Sequence, residues 1–175
     1  MKNNLKTIKI RDFAILVSSI LNKHNIDAVL VGGACVSIYS GNKYMSSDLD
    51  YVTAAPTDRI AAALKTLGFI KKGNIRQFVN GSCPFFIEFP PGPVSIGKEI
   101  LIKKFNKIKS LKLLTATDCV KDRLAAFYHW NDLQSLGQAI MVAKAQKVNL
   151  KIIEKWSKNE NSPEKFKRFL YLLKK

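Results

Sequence analysis

The stretch from Ala28 to Thr53 constrains the fold more than any other part of the chain. An apolar run, Ala28 to Val31, meets two glycines, Gly32 and Gly33. A segment of helical character follows, Ala34 to Tyr39. A polar loop leads into Ser46, Ser47, Asp48, Leu49 and Asp50, and the stretch closes on β-prone Tyr51 and Val52. The pattern reads as strand, Gly-Gly turn, helix, then a strand carrying two acids. A strand alternates its faces, so Asp48 and Asp50 project together while Leu49 and Tyr51 project oppositely. Two carboxylates this close repel each other unless a cation lies between them. Mg²⁺ is usually held by one or two carboxylates together with substrate phosphates. The glycines offer backbone N–H groups at a helix N-terminus, which favours an anion. Gly-Gly alone marks a turn, and a lone D-x-D is common on solvated loops. In this order and at this spacing they point to metal-assisted phosphoryl or nucleotidyl transfer.

Gly32-Gly33 followed by Ser46-Ser47-Asp48-Leu49-Asp50 resembles the nucleotidyltransferase superfamily of the DNA polymerase beta type. Its small bacterial members, among them the nucleotidyltransferase toxins of abortive-infection and toxin–antitoxin systems, are the nearest in pattern. The resemblance implies an α/β fold, a mixed β-sheet flanked by helices and followed by a helical C-terminal part. It implies an NTP as donor, with its triphosphate on the Gly32-Gly33 turn. It also implies two Mg²⁺ ions held by Asp48, Asp50 and a third acid on a later strand. Ser46 and Ser47 match the Ser or Thr that relatives often carry before the acids. Many relatives place an Arg shortly before that Ser or Thr. Here Lys43 and Tyr44 occupy the neighbourhood, and Lys43 is the loop cation available to a triphosphate, or else a plain surface lysine.

Glu88 is the candidate for the third acid. It lies in the aromatic run Phe85-Phe86-Ile87-Glu88-Phe89. A carboxylate within a buried strand needs a partner, because burying an unpaired charge costs several kcal/mol. A metal shared with Asp48 and Asp50 supplies one. Alternation also permits Glu88 to face solvent on a one-sided sheet; the metal role is the favoured placement.

The remaining chain reads as scaffold. Residues 7–24 carry apolar spacing for a first helix, with Ile8, Phe13, Ile15, Leu16, Ile20 and Leu21 on one face. Pro56 to Gly68 predicts a second, opened by Thr57 or Asp58 and ended by glycine. Arg76–Val79 and Phe85–Phe89 predict strands joined through Asn80-Gly81. Further strands are expected around Ile100–Phe105 and Leu111–Leu114. Thr117 or Asp118 caps an expected helix from Cys119 to Trp130. TDCVKDRLAAFYHW resembles the helix that closes the site in small bacterial relatives, and Lys121 is then a phosphate contact oriented by Asp118 or Asp122. An exposed charge pair is the competing reading of the same residues. Helices from Asn131 or Asp132 to Lys147, from Val148 to Ser157, and from Ser162 onward complete the chain. The expected division is a nucleotidyltransferase-like core over 1–114 and a helical part over 115–175.

Length and composition agree with this. The chain has 175 residues, 47% of them apolar, enough for a core. Its net charge is +16, which attracts nucleic acid or another polyanion, although a lysine-rich surface has the same signature. An RNA acceptor such as tRNA is therefore expected first, and a protein or small molecule second. An antitoxin is a further possible partner. Cys35, Cys83 and Cys119 form no C-x-x-C pair and read as thiols in a reducing, cytoplasmic setting. No apolar run is long enough to predict a membrane span. From a different functional class comes a non-catalytic protein that keeps this fold and binds nucleic acid or a partner through its basic surface.

Overall fold

The computed structural model describes residues 4–73 and 76–175. A 3-10 turn, Leu5–Thr7, precedes helix α1 (Ile10–Lys23). The first helix thus begins later than residue 7. Ile10, Phe13, Ala14, Val17 and Leu21 repeat at helical spacing and form its buried stripe. Strand β1 (Val29–Val31) runs straight into α2 (Gly32–Tyr39), so both glycines belong to the helix's first turn. Strand β2 (Asp48–Val52) carries the D-x-D pair, and α3 (Thr57–Lys65) follows. Then come β3 (Ile70–Lys71), β4 (Gln77–Val79) and β5 (Phe86–Glu88). A separate hairpin pairs β6 (Ser95–Ile96) with β7 (Glu99–Ile100). β8 (Phe105–Ile108) and β9 (Leu111–Leu114) close the strand set. The helices α4 (Ala116–Trp130), α5 (Leu133–Ala145), α6 (Leu150–Asn159) and α7 (Pro163–Leu173) complete the chain.

Seven strands form one mixed sheet in the order β3-β4-β5-β2-β1-β9-β8. β2 lies at its middle, antiparallel to β1 and parallel to β5. This register sets Asp50 beside Val31 on one flank and Glu88 on the other. The alternate residues Leu49 and Tyr51 are fully buried on the opposite face. The Tyr51 hydroxyl donates to the Ala14 carbonyl at 2.9 Å and lies 2.9 Å from Ser18 Oγ, tying the acidic strand to α1. Phe13 stacks on Phe69 and Phe85 beneath the sheet. One apolar cluster runs from Ile10 through the strands to Phe169, so the helices after β9 share the core of the sheet.

Two boundaries differ from the sequence expectation for local reasons. The strand expected over Ile100–Phe105 is split. Leu101 adopts a left-handed backbone (φ 66°), which interrupts an extended run, and pairing resumes in β8. α4 starts at Ala116, three residues before the expected Cys119, because Thr115 and not Thr117 or Asp118 is its cap: Thr115 Oγ1 accepts from Asp118 N–H at 3.1 Å. Asp132 caps α5 as expected, accepting from Ser135 N–H. Among the described residues no helix is long and apolar enough to cross a membrane.

Candidate active site

The D-x-D strand delivers what its period dictates. Asp48 and Asp50 emerge on one face of β2, and β5 brings Glu88 alongside in parallel register. One carboxylate oxygen from each lies within 4.8 Å of the others. All three side chains are half-buried.

Two of the three acids are held by neutral donors. Ser46 Oγ donates to Asp48 Oδ1 at 2.5 Å, and Ser46 N–H in turn donates to Ser37 Oγ of α2 at 2.9 Å. Gln77 Nε2, directly across the β4–β5 ladder, donates to Glu88 Oε1 at 2.6 Å. Asp50 responds most strongly to its surroundings. Burial, then the charges of Asp48 and Glu88, push its carboxyl up to about 7, and Arg123 pulls in the other direction. Gathering three acids here is thus electrostatically unfavourable for the protein alone. The donor set consists of hard carboxylate oxygens, which suits Mg²⁺ or a similar divalent ion.

The Gly32-Gly33 turn forms the wall opposite. Gly32 has φ +68°, and a Cβ there would collide with Asp50 Oδ2. A Cβ on Gly33 would come within 2.8 Å of Ser46 Oγ. Both positions therefore require glycine: the first for conformation and space, the second for space. The result is an eight-residue helix opening directly beside the carboxylates.

The other expected contacts are placed differently. Ser46 is buried and engaged with Asp48, while Ser47 and Lys43 are exposed in the loop before β2. Lys121, expected to reach phosphates, is only 1% exposed. Its ammonium donates to Asp118 at 2.9 Å and to Glu99 of the β6–β7 hairpin. As placed, Lys121 clasps that hairpin to α4, because its positive charge is already matched by two carboxylates. The cation whose charge is felt at Asp50 is instead Arg123, two residues on. Its Nε and Nη2 donate to Asp122 Oδ2 at 3.0 and 2.6 Å, and Nη1 lies 3.4 Å from Gln138 Oε1 of α5. Burial disfavours the Arg123 charge, but Asp122 outweighs it and holds the guanidinium's pKa above its usual value. Gln77 and Arg123 are the site residues that sequence reasoning passed over. The alternation around Phe78 was a signal for Gln77, since it sets Gln77 opposite Glu88 once the hairpin register is known.

The sequence matches no protein-family model and no curated protein. The fold does have solved counterparts. A crystal structure of ANT(2")-Ia in complex with adenylyl-2"-tobramycin superposes with a TM-score of 0.51 at 11% identity, covering 86% of this chain and 95% of that one. A solution structure of the antibiotic-resistance factor ANT(2'')-Ia gives 0.52 at 7% identity, covering 95% and 93%. At these identities the likeness is one of fold alone: a mixed sheet flanked by helices, shared with these two ANT(2")-Ia structures.

Proposed function

We propose that the protein is a metal-dependent nucleotidyltransferase that moves a nucleotide from an NTP to an acceptor hydroxyl. The observation that carries this reading is the convergence of Asp48, Asp50 and Glu88 beside a helix N-terminus that admits only glycine. Asp48 and Asp50 would hold two Mg²⁺ ions, and Glu88 the one on the nucleophile side. Bound there, the metal lowers the pKa of the attacking hydroxyl and stabilises charge on the leaving pyrophosphate. The chain's own groups do the positioning. Ser46 and Gln77 orient Asp48 and Glu88, and the first-turn N–H groups of α2 face the phosphates. Ser47 and Lys43, exposed at the loop edge, are available to the incoming nucleotide.

RNA, for example tRNA, is the acceptor we favour, because the chain carries a net charge of +16. A toxin role, held in check by an antitoxin, and a cytoplasmic location belong to the same reading. The second reading of the acceptor is a small hydroxylated molecule, since the ANT(2")-Ia structure holds an adenylylated tobramycin.

The test is incorporation from each of four α-³²P NTPs with Mg²⁺ into total RNA, total protein and a panel of hydroxylated small molecules. Wild type is compared with Asp48→Ala/Asp50→Ala. Label that enters RNA and disappears in the double variant supports the reading. Label in a small molecule alone transfers the acceptor to the second reading. Absence of label with every NTP, with nucleic-acid binding retained, makes the chain a binding protein on a nucleotidyltransferase fold.

A further inference from the structure

Two large aromatic side chains of the helical part stand in water, Trp130 at the C-terminal end of α4 and Tyr171 in the last turn of α7. Trp130 is 76% exposed and Tyr171 is 60% exposed. Leaving an indole in water forgoes the favourable burial of a large apolar surface. The local geometry enforces it: Asn131 turns left-handed (φ 53°) immediately after Trp130, so the chain folds back into α5 and leaves the indole projecting. The other tryptophan, Trp156, is buried and stacked on Tyr128.

Cations lie at the C-terminal turn of α4 and over the Tyr171 ring. The Lys165 ammonium caps α4, donating to the carbonyls of Phe127 and Tyr128 at 3.2 and 2.5 Å. Arg168 Cζ lies 5.7 Å from the Phe127 ring, one turn before Trp130. On α7, Lys167, Arg168 and Tyr171, at i, i+1 and i+4, are exposed, with Tyr171 four and three residues on from the two cations, while Phe166 and Phe169 point inward. Lys175 Nζ sits 4.4 Å over the Tyr171 ring. Glu164 is the only acid from residue 163 to the end of the sequence, and it is paired with Lys167 at 2.8 Å in solvent.

Exposed aromatics set among cations match the requirements of single-stranded nucleic acid, whose bases stack on rings while its phosphates meet lysine and arginine. We propose that the outer face of α7, together with the C-terminal end of α4, is a docking surface for single-stranded RNA. The charge complementarity of a +16 chain selects this occupant over a second copy of the same basic surface. The proposal rests on the RNA-acceptor reading above and gives it a location. Trp130 follows Arg123 by seven residues, so it lies on the same side of α4, about 10 Å further along.

The test is binding of a fluorescein-labelled single-stranded RNA of about 12 nucleotides, followed by anisotropy and by tryptophan emission. Trp130→Ala and Tyr171→Ala are each expected to weaken binding about tenfold. Lys167→Gln/Arg168→Gln is expected to flatten the salt dependence of affinity. RNA should quench emission in wild type and leave it unchanged in Trp130→Ala, because Trp156 is shielded. Asp48→Ala/Asp50→Ala should bind RNA as wild type does. A labelling experiment that finds no transfer to RNA, with the quench intact, removes the acceptor reading and keeps the surface. Affinities of both aromatic variants equal to wild type, or no worse than an exposed control such as Lys23→Gln, overturn the proposal. So does a dimer that Trp130→Ala dissociates and RNA does not quench.

Discussion

Two regions of the molecule concentrate charge, and they do so in opposite ways. Around β2 and β5, three carboxylates share a space within 4.8 Å and draw only on the neutral donors Ser46 and Gln77. Between the β6–β7 hairpin and the helices, each buried charged group has polar partners. Lys121 is bound by Glu99 and Asp118. Glu160, 4% exposed, accepts from Lys98 N–H at 2.7 Å and lies 3.1 Å from His129 Nε2. Gly97 makes room for that carboxylate, since a Cβ there would stand 2.5 Å from it. A matched buried charge serves as a clasp. A cluster of like charges left unmatched stores unfavourable energy that a bound cation releases. The difference separates a part of the chain that holds itself together from the part to which the proposed function assigns a metal.

The sharpest way to break this comparison is to remove acids from each side. Asp48→Ala/Asp50→Ala should lower nucleotide transfer by at least about 10²–10³-fold, by analogy with deleting other groups that stabilise transition-state charge. Its melting temperature without metal should stay level or rise, because repulsion is relieved. A large loss of stability instead would make the triad a structural cluster. On the other side, Glu160→Ala should cost about 1–3 kcal/mol in urea unfolding, since it removes the acceptor of Lys98 N–H and unlatches the hairpin. Unchanged stability would show that the hairpin is held by packing alone.

Gln77→Leu tests whether the neutral donors matter to the ligand or to the fold. Loss of a residue that orients a metal ligand costs about 10–100-fold in metal affinity or activity. Mg²⁺ titration followed by activity should show that loss, with the folded state kept. An effect on stability alone would assign Gln77 to the sheet.

A further test is in pH. The Asp50 carboxyl is raised to about 7 in the folded chain, against about 3.9 when unfolded. Between these values the folded state binds the extra proton, so stability falls as pH rises across the window. Asp50→Asn should flatten this slope. Mg²⁺ should raise the melting temperature more at pH 8 than at pH 5, where it must displace the proton. Equal shifts at both pH values would place the ion elsewhere.

The features that point to the site were legible because each is local. Period-two alternation puts Asp48 and Asp50 on one face whatever the sheet order is. Gly32-Gly33 marks a close approach before its neighbour is known, and Asp132 announces α5 by capping chemistry. Gln77 was not legible as a site residue, because its role depends on the register that sets it opposite Glu88. Lys121 shows the same limit. Its nearest acids in sequence suggested a cation oriented toward phosphate, whereas Glu99, 22 residues earlier, decides its orientation.

The amino-acid sequence by itself determined the D-x-D strand, the glycine turn and the helical periodicities, since these arise from backbone geometry within a few residues. Tertiary structure alone decided which cation is felt at Asp50 and which lysine is consumed as a clasp. Those outcomes depend on strand order and on the docking of α4 and the β6–β7 hairpin. Electrostatic interactions act across space, and separation along the chain carries no information about them until the core has brought the partners together.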